Sequence, residues 1–258
     1  MKYTIFTPTY NREKDLINLY NSLLNQKKYD FEWLIVDDGS LDNTRELIMS
    51  FRKTSPFPVS YFYQKNGGKH RAFNKAIKEA GGQFFTCIDS DDLLKPGAIE
   101  LMNEYCEKNI NLMATCFLCE DQYGKIIGDS YPSSNKTYNL IALTYDKKIN
   151  GDKLWVFDMD ILKQYRFPEI QNENFLTEGV LLFNMSQKYE ILGVNESLQI
   201  HEYKVGGLTH IGNSSLFDRN PKGATLYYKL LIKITPSFKY KLFYMAKYLK
   251  YSMGKKVA

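Results

Sequence analysis

Four short apolar runs, each ending in polar or acidic residues, leave this 258-residue chain very few folds. They are Lys2–Thr7, closed by Pro8, then Phe31–Val36, Pro58–Tyr63 and the run that begins at Phe84. Helix-periodic stretches fill the gaps. Leu16, Ile17, Leu19, Tyr20, Leu23 and Leu24 share one helical face, with Thr9 or Asn11 as the expected cap. Further helices are expected from about Asp42 to Arg52 and from about Lys69 to Ala80. Strands alternating with helices of this size give a parallel sheet with right-handed crossovers. Such a sheet gathers its strands' carboxyl ends along one crevice, where α/β folds bind ligands. Thr9-Tyr10-Asn11, Asp37-Asp38, the segment Asn66–Arg71 and Asp89–Asp92 are all expected there.

The fourth run passes from Phe84-Phe85-Thr86-Cys87-Ile88 straight into Asp89-Ser90-Asp91-Asp92. Three carboxylates within four positions repel one another unless a cation neutralises them. Mg²⁺ and Mn²⁺ take oxygen ligands and share them with substrate phosphates. The competing reading is an acidic turn, with Asp92 capping a helix from Pro96 to Lys108. Beyond it, Leu112–Glu120 reads as a strand and Asp121-Gln122-Tyr123-Gly124 as a hairpin turn. The polar stretch 129–152 is expected to be a flexible loop over the site. Asp158 or Asp160 should start a short helix ending near Tyr165, and Thr177-Glu178 should open a helix from Val180 to Lys188. Tyr189–Val194 and Ser197–Tyr203 read as a closing hairpin, and the chain is helical in pattern from Pro221.

Composition narrows the class. The chain is 44% hydrophobic and 24% charged, in the globular range, and has no apolar run of about 18 residues that would span a membrane. Its start reads as a first strand and not as a signal peptide. Cys116 and Cys119 form a lone CxxC without the second pair a zinc site needs, so all four cysteines read as buried thiols in a reducing, cytoplasmic compartment. The net charge of +5 is uneven: residues 219–258 hold one Arg, nine Lys and no acid, against −5 for the rest. Phe238, Leu242, Met245, Leu249 and Met253 form one helical stripe, with Tyr240, Tyr244, Tyr248 and Tyr251 beside it and lysines alongside. A basic amphipathic helix of this kind suits an anionic membrane surface; a helix packed on the domain is the alternative. The expected division is a domain over 1–218, with a nucleotide-binding half (1–110) and an acceptor half (111–218), followed by the basic tail 219–258.

Four ordered motifs carry a resemblance. Thr7-Pro8-Thr9-Tyr10-Asn11-Arg12, Asp37-Asp38-Gly39-Ser40, Asn66-Gly67-Gly68-Lys69-His70 with Asn74, and Asp89-Ser90-Asp91-Asp92 resemble the family 2 glycosyltransferases. The likeness covers roughly the first 110 residues and continues more loosely through Phe167-Pro168 and Asn172–Glu178. It implies an inverting enzyme with a GT-A fold, a mixed and mainly parallel sheet flanked by helices. The implied reaction moves a sugar from a nucleotide-sugar, most often a UDP-sugar, to an acceptor hydroxyl. Thr7, Pro8, Thr9, Tyr10, Asn11, Asp37 and Asp38 are then nucleotide contacts, with Asp38 accepting from uracil or ribose. Gly67 and Gly68 permit close backbone approach, and Lys69 and Arg71 at a helix N-terminus favour a diphosphate. Asp89 and Ser90 complete the donor site. Asp91 with Asp89 matches the family's Asp-x-Asp motif, where the resemblance places Mn²⁺ or Mg²⁺.

The family commonly sets a Glu-Asp pair beside the acceptor; here the matching place reads Glu178-Gly179. Glu178 is the expected general base, with Glu173 and Asp158 as runners-up, and a helix-dipole role for Glu178 as the plain alternative. His201 or His210 would add a metal ligand, as a late His does in some relatives, and Lys204 would reach the diphosphate. His70 and Tyr10 suit simple packing equally well, and Asp37 a helix cap. The acceptor suggested by the basic tail and by bacterial relatives is a lipid-linked glycan in capsule or other cell-surface polysaccharide synthesis, handled at the inner face of the membrane. Competing readings are a degenerate nucleotide- or sugar-binding module and a metal-dependent phosphoryl-transfer enzyme. The latter wants its Asp-x-Asp on the first strand, not the fourth. Nucleic acid is not an expected partner, because no recognition motif accompanies the lysines.

Overall fold

The computed structural model describes residues 1–107, 111–201 and 213–253. Its first half is the expected alternation: β1 (Tyr3–Thr9), α1 (Glu13–Leu24), β2 (Phe31–Asp37), α2 (Thr44–Thr54), β3 (Val59–Tyr63), α3 (Lys69–Glu79) and β4 (Phe84–Cys87). β1 lies between β2 and β4, parallel to both, and β3 pairs parallel with β2. The side-chain alternation of each strand sorts the core into two layers. Tyr3, Ile5, Trp33 and Ile35 pack with Leu16, Leu19 and Leu23 of α1, while Phe6, Leu34, Val36 and Phe85 face Ala72, Phe73, Ala76 and Ile77 of α3. With both faces covered, every residue of β2 is buried. That accounts for its near-continuous apolar sequence.

The second half holds β5 (Asp92–Leu94), α4 (Ala98–Cys106), β6 (Leu112–Asp121), β7 (Lys136–Tyr138), α5 (Leu140–Ala142), β8 (Lys153–Asp158), α6 (Met159–Leu162), α7 (Gly179–Met185) and β9 (Glu190–His201). The strand order is β3-β2-β1-β4-β8-β6-β9-β5, with β7 on the side of β9. β8 runs antiparallel to both β4 and β6, and β9 runs parallel to β6. The sheet is therefore mixed, with its parallel block at the N-terminal half. Three helices follow: Asn213–Arg219, Pro221–Ile234 and Phe238–Ser252. They join through Phe217, Ala224, Tyr228, Leu231 and Tyr251, and pack on Phe183 of α7.

Several expectations are corrected. β1 does not stop at Pro8 but runs to Thr9; Pro8 lies past the end of the β4 register, which closes at Phe6↔Cys87. Neither Thr9 nor Asn11 caps α1. Asn11 takes a left-handed φ of 53° and accepts from the Leu41 amide at 2.8 Å, while Arg12 holds the cap position. Asp92 caps nothing, because it begins β5 and pairs with β9. The expected hairpin is one strand. Asn195-Glu196 is absorbed as a register shift against β6 instead of turning the chain back. The stretch 129–152 does not cover the site. It forms β7, α5 and a further helical turn (Leu143–Lys147), and β7 pairs with Ile191–Gly193, at the opposite end of β9 from His201.

Candidate functional site

The carboxyl ends of β1, β2 and β4 bring the four motifs side by side. The Asp38 amide donates to the Thr9 carbonyl at 2.8 Å, tying the ends of β1 and β2. The Asp38 carboxylate then accepts from the Gly67 amide (2.9 Å), the Gly68 amide (2.8 Å) and Gln64 Nε2 (2.7 Å). One acid thus clasps the glycine turn against the end of β2. Asp37 is likewise engaged, accepting from the Ser40 amide and the Tyr61 hydroxyl, both at 2.8 Å. It closes the Asp37–Ser40 turn and does not cap α2.

Gly68 makes the turn possible. Its φ is +94°, and a Cβ there would run into the Asn174 carbonyl oxygen. Both facts exclude any side chain. Gly68→Ala is expected to cost about 2–4 kcal/mol, through a strained left-handed residue plus displacement of the 170–176 segment. The check is a thermal or urea melt, and an unchanged melting temperature would refute the clasp.

Past the turn, Lys69 begins α3. Its Nζ lies 2.7 Å from Asp89 Oδ1 and 2.8 Å from Glu178 Oε1. Burial would lower this ammonium, but the two carboxylates outweigh it and hold the Lys69 pKa well above the usual lysine range. Glu178 stands at the N-terminal end of α7 with its side chain half exposed. The acid cluster after β4 and the expected base therefore meet across a single lysine. Gly179 also has a structural reason, since a Cβ there would press on the Tyr227 ring at 2.9 Å. The helix Pro221–Ile234 fills the room a second acid would need.

Within the acid cluster the three carboxylates differ. Asp89 is held by Lys69, and Asp91 faces the Arg12 guanidinium at 3.8 Å. Asp92 is buried, accepts from Gln199 Nε2 at 2.7 Å and lies 3.8 Å from His201 Nδ1. Burial, then the charges of Asp89 and Asp91, push the Asp92 pKa up to about 8. In an unfolded chain the group would titrate near about 3.9. Between those values the folded protein keeps a proton that the unfolded chain has lost. The stability this gives is complete below about pH 4 and is lost as pH rises towards 8. Asp92→Asn is expected to flatten that slope and raise the melting temperature at pH 8, measured in EDTA.

Oxygen-rich, electrostatically crowded and open at Asp89 and Asp91, the cluster fits a hard divalent cation that shares its ligands with phosphate. Among the described residues no group of three His, Cys, Asp or Glu side chains is already gathered as a metal cage. Burial pushes the His201 pKa down, and its strand pairing with Asp92 brings it to the cluster's edge. His210 and Lys204 lie outside the described residues.

Other candidates have different work. Thr7 is fully buried and its hydroxyl accepts from Trp33 Nε1 at 3.0 Å, so it faces the core and not the crevice. Thr9 is buried with its hydroxyl unpartnered, Tyr10 is exposed, and Ser90 is buried in the acidic turn. Arg71 does not present its guanidinium to a diphosphate, because it donates to the carbonyls of Gly67, Ile170 and Glu173. Glu173 is no base: it is buried and accepts from the amides of Lys222 (2.8 Å) and Gly223 (2.7 Å), capping the helix Pro221–Ile234 from outside. Asp158 is excluded in the same way. It caps α6 through the Ile161 amide and pairs with Phe84, at the far end of β4 from the acids. Asn74 clasps Phe167 through both its amide and its carbonyl. His70 is packed; burial, then the Arg71 charge, lower its pKa to about 4.

A family model described as Glycosyl transferase family 2 matches residues 4–166. Among curated proteins, a Bacillus subtilis protein named for teichuronic acid biosynthesis, the glycosyltransferase TuaG, is 26% identical over 206 residues, 78% of each chain. An uncharacterized glycosyltransferase of Mycoplasma pneumoniae, the MG060 homolog, is 36% identical over 112 residues, covering 42% of this chain and 38% of that protein. The poly(ribitol-phosphate) beta-N-acetylglucosaminyltransferase TarS of Staphylococcus aureus is 38% identical over 96 residues, 36% of this chain and 17% of TarS. The matched segment thus spans well under half the length of these last two relatives. In structure, TarS residues 1–349 in complex with UDP-GlcNAc align at a TM-score of 0.66 and 20% identity, over 98% of this chain and 73% of that one. The mannosyltransferase PcManGT from Pyrobaculum calidifontis, in complex with GDP-Man and Mn²⁺, aligns at 0.64 and 16% identity, over 96% and 69%. The fold shared at these identities is the GT-A fold.

Proposed function

Because the chain belongs to glycosyl transferase family 2, we propose that it is an inverting transferase moving a sugar from a UDP-sugar to a hydroxyl of a surface-glycan acceptor. One observation carries the reading: a continuous set of contacts runs from Thr9 through Asp38, Gly67-Gly68 and Lys69 to Asp89 and Glu178. The nucleotide end is formed by Thr9, Tyr10, Asn11 and Asp38, with Pro8 and Asp37 shaping it. The diphosphate falls at the N-terminus of α3, where the helix dipole and the Lys69 ammonium favour an anion. Asp91 and Asp89 would hold Mn²⁺ or Mg²⁺, with His201 beside them. The cation supplies Lewis-acid stabilisation of the leaving diphosphate.

Glu178 then accepts the proton of the acceptor hydroxyl. The acceptor oxygen forms its bond to the anomeric carbon as the bond to the diphosphate oxygen breaks, and the configuration inverts. Among the described residues, Glu178 is a half-exposed carboxylate joined to the acid cluster through Lys69, which suits it to this role. The similarity to a teichuronic acid protein and to a poly(ribitol-phosphate) N-acetylglucosaminyltransferase supports a cell-surface polymer as acceptor; the basic tail suits one that is lipid-linked.

Calorimetric titration with UDP, GDP and dTDP, first with Mn²⁺ and then with EDTA, tests the reading. The expected result is metal-dependent binding of UDP and weaker binding of the others. No binding of any nucleotide would overturn it.

A further inference from the structure

Among the described residues, seven of the fourteen exposed large apolar side chains lie between Phe238 and Met253, on the helix Phe238–Ser252 and its C-cap. At 100° per residue, Met245, Phe238, Leu249, Leu242 and Met253 fall within an arc of about 80°. Leu242 and Leu249 are each 52% exposed and Phe238 is 75% exposed. The opposite side of the same helix packs on the protein through its tyrosines. Tyr251 stacks on Tyr228 with ring centroids 5.8 Å apart, and Tyr244 meets the Tyr145 hydroxyl at 3.2 Å. The helix is therefore anchored by its tyrosines and leaves its aliphatic stripe without a partner among the described residues.

Lysines border that stripe. Lys241 lies on one flank and Lys239 on the other, next to Phe243 and Lys247, whose Nζ sits 5.6 Å from the Phe243 ring centroid. No acid occurs from residue 219 onward. A second copy of the chain pairing through this face would press like charges together. A lipid surface with anionic headgroups accepts both features, the side chains in the acyl boundary and the ammonium groups among the phosphates. No helix among the described residues is long and apolar enough to cross a membrane, so the contact is with the surface.

We infer that the helix Phe238–Ser252 docks the protein on an anionic lipid bilayer. It lies against the helix Pro221–Ile234, whose start is capped by Glu173 and whose Tyr227 walls Gly179. Docking would thus hold the Glu178 end of the crevice close to the lipid surface; this last point rests on the transferase reading.

The test is co-sedimentation of the full chain with vesicles of phosphatidylcholine alone and of phosphatidylcholine with an equal part of phosphatidylglycerol. Binding is expected only with the anionic vesicles, weakening as salt rises. The doubles Leu242→Glu/Leu249→Glu and Lys239→Glu/Lys241→Glu are each expected to reduce partitioning at least about tenfold. Their melting temperatures and UDP titrations should match the parent protein. Equal sedimentation of parent and Leu242→Glu/Leu249→Glu, or none with anionic vesicles, would overturn the proposal. So would a concentration-dependent dimer lost in that variant, which assigns the stripe to a second copy. Neither donor nor turnover enters the readout, so failure here leaves the transferase reading standing.

Discussion

Asp91→Asn is expected to lower kcat/KM by at least about 10³ and to remove the effect of Mn²⁺ on UDP binding. The three acids after β4 are not equivalent. Lys69 neutralises Asp89, and burial with a raised pKa near 8 keeps a proton on Asp92 at neutral pH. Asp91 is the carboxylate least engaged, its nearest cation being Arg12 at 3.8 Å. Removing its charge removes the group best placed to meet a divalent cation. The change is isosteric at a partly exposed position, so the fold should hold, with melting within about 0.5 kcal/mol of the parent. The checks are initial rates at saturating donor and titration with and without EDTA. Parent-like, metal-responsive UDP binding in the variant would remove Asp91 from the metal site.

Glu178→Gln is expected to lower kcat by about 10²–10⁴ while leaving UDP affinity within about twofold. Glutamine keeps the shape and still accepts from Lys69, so the donor site is undisturbed; only the ability to take a proton is lost. Glu173→Ala serves as the contrast. It leaves the Lys222 and Gly223 amides buried without a partner and should cost about 1–3 kcal/mol of stability. Its activity below the melting range should survive. Near-normal turnover in Glu178→Gln would place the base elsewhere.

The parallel half was legible because β1, β2 and β4 are buried on both faces and each helix on one, which writes continuous apolar runs and a helical period into the sequence. Short strands defined by distant partners were not. β5 is three residues within an acidic turn, and only its pairing with β9 makes it a strand. β8 reads Lys-Leu-Trp-Val-Phe-Asp, too short for a period, and is defined by neighbours far along the chain. The motif residues were legible by type, yet their partners were not. Nothing local tells that Arg71 closes on carbonyls about a hundred residues away, that Glu173 caps a helix beginning at Pro221, or that Gly179 yields its space to Tyr227. Lys69 was read as a phosphate ligand, and its ion pair with Glu178 depends on the packing of α7 over the crevice. The apolar stripe of the last helix was legible from its spacing, but its exposure was not, because a helix packed on the domain fits the same pattern.

One ammonium held between two carboxylates makes the order of events matter. While Lys69 is paired with Glu178, the carboxylate proposed to take the acceptor's proton is engaged by an ammonium. A diphosphate arriving at α3 competes for the same cation and draws it away from the carboxylate. On the transferase reading, donor occupancy would then free the carboxylate proposed to activate the acceptor. Such an arrangement would favour donor binding before acceptor, because an acceptor or a water arriving alone would meet a carboxylate still held by Lys69. The lysine proposed to receive the diphosphate would then also restrain wasteful hydrolysis of the activated sugar.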